Sequence, residues 1–261
     1  MIYAVGDIHG QYSAARALLC AHGAVDFSGN WAAGKSALVF TGDYFDRGPD
    51  GYRTVRWIRD LQKQASQEGG LVAALLGNHD MWTIHRCYDR LLGLKVDRRK
   101  WNWQGCEEAD ELALCADKGT LDWLRRLPVI CKLGGVLFQH ADAFMFYLNR
   151  GGAKLTGDAL IADINRTVLK NSMYSKYMLE SGNELCWARD WDGIKSQMGH
   201  YLDAMDAEQV VHGHTPMAGN QPYFYMNSMA VAIDGHMRTF SKGTHQGCVL
   251  KLHRKHAELF V

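Results

Sequence analysis

Three short apolar runs, Ile2 to Val5, Ala37 to Thr41 and Leu71 to Leu76, each stop at a glycine followed by polar residues. The junctions read GDIHG (Gly6 to Gly10), GDYFDRGP (Gly42 to Pro49) and GNHD (Gly77 to Asp80). Burying a charge is costly unless a partner compensates it, so carboxylates at the ends of buried strands point to a cation. Behind each junction lies an amphipathic stretch, Gln11 to His22, Gly51 to Glu68 and Met81 to Leu92. In the second, Val55, Ile58, Leu61 and Ala65 recur at three and four residues, the period of a helix. Strands alternating with helices predict an α/β fold with parallel pairing. Near the end, Ala230 to Ile233, Gly247 to Leu252 and Ala257 to Val261 read as short strands with no helix between them, which predicts a mixed sheet or a second sheet.

The 261 residues, 47% of them hydrophobic, suffice for one large domain with a sizeable core. We read 1–261 as that domain, with no repeat or linker; the periodic pattern fails only over 94–119, a lid or insertion carrying the basic aromatic run Lys95 to Trp103. A formal charge of +1 gives no global pull toward nucleic acid or membrane, and stable nucleic-acid binding is not expected. Seven scattered cysteines without a CxxC pair favour neither a disulfide framework nor a zinc–thiolate site. The N-terminus lacks a signal-peptide pattern and no run approaches the ~20 apolar residues of a membrane span, so a cytoplasmic protein is expected.

Ligands of α/β sheets bind at the carboxyl ends of the strands, so Asp7, His9, Asp43, Asn78 and His79 should converge. Mixed oxygen and nitrogen donors suit a divalent ion such as Mn, Fe, Zn or Co, and the adjoining glycines should let the backbone turn sharply toward one centre. Two later runs repeat the pattern: Val136 to Gln139 leads into His140-Ala141-Asp142, and Gln209 to Val211 into His212-Gly213-His214-Thr215-Pro216.

The ordered set GDIHG, GDYFDRG, GNHD, HAD and GHTP resembles the calcineurin-like metallophosphoesterases, specifically the phosphoprotein phosphatase branch. The resemblance implies an αββα sandwich, two mixed β-sheets flanked by helices, with two divalent metal ions, manganese foremost and Fe, Zn, Co or Mg as alternatives. Asp7 and His9 would hold one ion, Asn78, His140 and His214 the other, and Asp43 would bridge them. A shared water or hydroxide would attack phosphorus directly. His79 becomes the general acid, Asp46 its partner that orients it and raises its pKa, Arg47 a phosphate clamp, and Arg189 in CWARDW a second clamp. His212 precedes the GH pair and is read as a packed or surface histidine; Pro216 stands where related nucleases often carry a further histidine.

Leu76 and Asp80 around GNH, and HAD in place of HGG, depart from the eukaryotic Ser/Thr phosphatases. They are similar to the bacterial type, which includes symmetrical diadenosine tetraphosphatases and small phage and bacterial protein phosphatases. The sequence therefore points to a metal-dependent phosphatase acting on phosphomonoesters, phosphoproteins among them. The alternatives are a dinucleoside polyphosphate hydrolase in which Trp101 or Trp103 stacks an adenine, or a metal-binding scaffold without turnover.

Overall fold

The computed structural model describes residues 1–96, 108–141, 155–171, 186, 188–189, 196–217, 219–239, 245–254 and 259–260. Two mixed sheets lie face to face. The first has strand order β11-β1-β2-β3, from β1 (Ile2–Val5), β2 (Ala37–Phe40), β3 (Leu71–Ala74) and β11 (Val249–Leu252). The β1, β2 and β3 strands run parallel in register, and β11 pairs antiparallel with β1. The second sheet follows the order β12-β4-β5-β6-β8-β7. Its members are β4 (Ile130–Leu133), β5 (Val136–Gln139), β6 (Gln209–His212), β7 (Tyr223–Tyr225), β8 (Ala230–Ala232) and β12 (Leu259–Phe260). Within it β5, β6 and β8 are parallel. A small hairpin pairs β9 (Arg238–Thr239) with β10 (His245–Gln246).

Burial on both faces explains why the strands read as continuous apolar runs instead of alternating ones. From β1, Ile2 and Ala4 point between the sheets, where they join Phe138, Val211 and Val231. Tyr3 and Val5 point outward to the helical layer. Helix α1 (Tyr12–Ala21) and helix α2 (Gly51–Gln67) cover that face; α2 buries Val55, Ile58, Leu61 and Ala65, the four positions of the predicted period. Helix α3 (Asn78–Leu91) begins three residues earlier than the amphipathic pattern indicated and takes the GNHD motif into its first turn. Apolar periodicity misses this start because the first turn holds the polar residues Asn78, His79 and Asp80, which face the neighbouring motif loops and His140.

Helices α4 (Glu108–Ala116) and α5 (Lys118–Leu124) fill part of the segment expected as a lid, and α4 packs on α2 and α3. Trp101 and Trp103 lie outside the described residues. Helix α6 (Gly157–Asn171) and helix α7 (Met198–Met205) flank the second sheet. No described helix is long and apolar enough to cross a membrane, and the six described cysteines are free.

Candidate active site

The carboxyl ends of β1, β2 and β3 lie side by side, and those of β5 and β6 face them from the second sheet. This places Asp7, His9, Asp43, Asn78, His79, His140 and His214 together, all 7% exposed or less. Close approach between loops is the reason for one of the glycines: a Cβ on Gly77 would lie 2.1 Å from Asp43 Oδ1. Sharp turning, the reason anticipated from sequence, applies at Gly42, where φ is +106°.

The turns are also forced on residues that resist them. His9, Asp43, Asp46, Arg47 and His214 all have positive φ, between 48° and 65°. Left-handed backbone in such side chains costs on the order of 1 kcal/mol or more each and persists only where the surroundings hold it. Its concentration in these loops is a signature of a working site that no residue pattern announces.

Asp43 stands at the centre. Its Oδ2 lies 3.7 Å from His9 Nε2, while Oδ1 lies 3.5 Å from His140 Nε2. It belongs to two clusters whose donor atoms come within 4.8 Å of one another, His9-Asp43-His79 and Asp43-His140-His214. Asp7 completes the first side, with Oδ2 3.8 Å from His9 Nε2. Asn78 completes the second, with Oδ1 2.9 Å from His140 Nε2.

The donor chemistry fits divalent cations. His9 donates Nδ1–H to the Phe45 carbonyl and His140 donates Nδ1–H to the Thr41 carbonyl, both at 2.9 Å, leaving each Nε2 as a lone pair. Burial, reinforced by neighbouring histidines, holds both imidazoles well below their ordinary pKa and so neutral. His140 Nε2 therefore faces the Asn78 oxygen as one acceptor facing another. A separation near 3 Å is the spacing of adjacent donors each about 2.1 Å from one ion. Burial, with repulsion from Asp234 and Asp43, drives the Asp7 carboxyl well above its usual range; burial, with Asp80, does the same to Asp43. Such crowded negative charge calls for a cation.

His79 makes a different set of contacts. Its Nδ1–H donates to Asp46 Oδ2 at 2.7 Å, and its Nε2 receives Arg47 Nη2 at 3.3 Å. Burial keeps its pKa below the ordinary value, with Asp46 opposing; the raised value anticipated from sequence is outweighed by desolvation. Arg47 also donates Nη1 to His9 Nε2 at 2.8 Å and lines a cleft of about 80 Å³ with His9, Gln11, Asp234, His236 and Met237. Arg189, exposed at the rim, donates to the His214 carbonyl at 3.4 Å. His212 is fully buried and packed away from the donors, donating Nδ1–H to the Gly213 carbonyl at 2.9 Å and accepting from Tyr225 Oη at 2.7 Å.

Three site residues escaped the sequence reading. Asp80 accepts the N–H groups of Asp43, Tyr44 and Gly77; an acid three residues into a helix, reaching back to the N-cap, is a capping-box signal that was available. Asp234, 3% exposed and beside Asp7, follows the apolar run Ala230 to Ile233 and precedes Gly235, the same strand-acid-glycine order as the early motifs. Arg86 is 1% exposed and donates to Asp46 Oδ1 at 3.0 Å, and no local pattern marks it.

Two sheets with a His, Asp and Asn cluster at facing strand ends are the arrangement of a metallophosphoesterase fold. The chain belongs to the calcineurin-like phosphoesterase family, whose model matches residues 1–234. It is similar to Shewanella-like protein phosphatase 1 of Plasmodium berghei, 24% identical over 92% of this chain and 68% of that protein. It is also similar to the symmetrical bis(5'-nucleosyl)-tetraphosphatase of Methylococcus capsulatus, 32% identical over 54% of this chain and 42% of that one. The chain spans only 25% and 21% of the length of two other curated relatives. Among solved structures, the cold-active protein-tyrosine phosphatase of a psychrophilic Shewanella superposes with a TM-score of 0.69 at 25% identity, over 88% of this chain and 70% of that one.

Proposed function

We propose that the chain is a two-metal phosphatase hydrolysing phosphomonoesters, including those on proteins. The carrying observation is that the two oxygens of Asp43 face separate histidine sets while the His79–Asp46 pair stands beside them. Asp7, His9 and Asp43 would hold one ion, and Asp43, Asn78, His140 and His214 the other, with manganese foremost among Mn, Fe, Zn, Co and Mg. When bound, such a pair supplies a water acidic enough to be a nucleophile near neutral pH and neutralises charge on the phosphoryl group.

The chain's own residues do the rest. Arg47 presents its planar fork to the phosphoryl oxygens from the edge of the cleft, with Arg189 at the rim as the second clamp. A bound phosphate dianion next to His79 favours the imidazolium, offsetting the desolvation that keeps it neutral in the free protein. His79 Nε2 then gives its proton to the leaving oxygen while Asp46 holds Nδ1–H and fixes the ring. The free cysteines support a cytoplasmic setting.

The phosphoprotein reading is supported by a phosphatase relative that aligns along 92% of this chain. The tetraphosphatase relative aligns along only 54% and favours dinucleoside polyphosphates as the second reading. A Mn2+-loaded assay on p-nitrophenyl phosphate, a phosphopeptide and diadenosine tetraphosphate decides. Turnover of the phosphopeptide in preference to the dinucleotide is expected; the reverse order selects the second reading, and no turnover of any leaves a scaffold. His79→Asn is expected to retain metal and to slow an alkyl phosphate by about 10²–10⁴-fold. A variant as fast as wild type on that substrate removes His79 from the role.

A further inference from the structure

A chain of alternating charges runs from His79 into the helix that follows the basic aromatic run. Asp46 Oδ2 takes His79 Nδ1–H at 2.7 Å, and Asp46 Oδ1 takes Arg86 Nη2 at 3.0 Å. Arg86 Nε then reaches Glu111 Oε2 at 2.8 Å, and Glu111 Oε1 meets Arg90 Nε, whose Nη2 lies 3.1 Å from Glu108 Oε1. Asp46, His79, Arg86 and Glu111 are each 1–2% exposed. Arg86 Nη2 also donates to Thr83 Oγ1 at 2.8 Å, and that hydroxyl donates to the His79 carbonyl at 2.9 Å. A second contact ties the same helix to the same loop: Asp110 accepts the N–H of Gly51, where the loop bearing Asp46 and Arg47 enters α2.

Charges this deep are costly unless every partner is in place, and such an arrangement is weak evidence for stability by itself. What it does supply is geometry. Asp46 and Arg47 sit at positive φ, 65° and 64°, in a loop that would relax if unsupported. Arg86 uses two nitrogens of one rigid plane, Nη2 and Nε, to hold two carboxylates in a fixed relative direction, which the freely rotating point charge of a lysine ammonium does not impose.

We propose that Arg86 and Glu111 are positioning residues for the proton donor, holding Asp46 so that the His79 ring is aimed at the leaving oxygen, with Glu111 the anchor in α4. This rests on the reading of His79 as the acid. The segment that breaks the sequence pattern thereby contributes to the reaction through a buried carboxylate at one end of it, whatever its remainder contacts.

The experiment measures kcat and KM of the metal-loaded protein on an alkyl phosphate and on p-nitrophenyl phosphate, with metal content, for Arg86→Lys and Glu111→Gln. Each is made alone and in a His79→Asn background. Glu111→Gln keeps the side-chain shape and serves if Arg86→Lys does not fold. Displacing a positioned group by about 1 Å is worth on the order of 10²-fold. We therefore expect each variant to lose about 10- to 100-fold in kcat on the alkyl phosphate, with a smaller loss on the aryl ester and metal retained. In the His79→Asn background the same changes should cost less than about threefold, because residues acting as one unit are not additive. Full losses in that background, equal losses on both esters, loss of metal, or no loss overturn the inference while leaving His79 as the acid. If His79→Asn alone matches wild type, the acid assignment fails and this inference with it.

Discussion

Asp80 Oδ2 accepts the backbone N–H of Asp43 at 2.8 Å, so the last residue of the third motif holds the first acid of the second. The same carboxylate takes the N–H of Gly77 at 2.9 Å and, through Oδ1, that of Tyr44 at 2.8 Å. Burial pushes its carboxyl up to about 7, and the three N–H donors work in the opposite direction. Asp80→Asn turns one acceptor into an NH2 group facing a backbone N–H. A buried donor left unsatisfied costs about 1–3 kcal/mol, and we expect a loss of that size in urea unfolding together with weaker metal retention on dialysis. An unchanged midpoint and full metal content would show that Asp80 holds nothing that matters.

Asp43→Asn tests the shared acid directly. An amide removes the charge and one of the two anionic faces that His9 and His140 approach at 3.7 and 3.5 Å. Activity is expected to fall by at least about 10³-fold, with fewer than two ions per chain by elemental analysis, as loss of a shared charged ligand requires. Two tightly bound ions in this variant would contradict the assignment.

The sheet core, the strand ends and the meeting of His, Asp and Asn side chains there were legible because each rests on local chemistry: apolar runs, glycines and potential ligand side chains at chain-order intervals. Val55, Ile58, Leu61 and Ala65 announce α2 for the same reason. Arg86 and Glu111 were not legible, since their pairing spans 25 positions and depends on how α4 docks on α3. Positive φ at Asp43, Asp46 and Arg47 was hidden too, because tertiary contacts impose it against local preference. Helix α4, within 94–119, was not legible because it buries only Glu111 and Leu114 and has no broad apolar stripe.

Helix α5 begins at a cap that gives a simpler test. Asp117 accepts the Thr120 N–H at 3.0 Å and its hydroxyl at 2.7 Å, and these bonds, the Thr120 side chain foremost, hold its carboxyl below the usual range. A lowered folded-state value means that the contribution is complete above the ordinary carboxylate pKa and is lost as pH falls through the lowered one. Asp117→Ala should cost about 1 kcal/mol at pH 7, the usual worth of such a cap, with the gap to wild type closing below about pH 4. A gap of the same size at pH 3 would assign the loss to packing.

His212 loses stability in the same direction, toward acid, but over a higher range of pH. Burial lowers its pKa from 6.5 to about 4, and its two ring nitrogens are already committed to the Gly213 carbonyl and the Tyr225 hydroxyl. The unfolded chain gains a proton near pH 6.5 that the folded one refuses until about 4. Stability from this group is therefore complete above pH 6.5 and falls as the medium is acidified toward pH 4, by about 2–3 kcal/mol at 1.36 kcal/mol per unit. His212→Gln keeps a donor for the carbonyl and an acceptor for the hydroxyl but cannot titrate. At pH 8 it should be somewhat less stable than wild type, because the amide fits the imidazole's space imperfectly. Between pH 7.5 and 4.5 it should lose about 2–3 kcal/mol less than wild type in urea unfolding. The other buried histidines titrate in both proteins and cancel in the difference. Parallel pH profiles for the two would mean that His212 accepts its proton in the folded state as readily as in the unfolded one, and that burial does not hold it neutral.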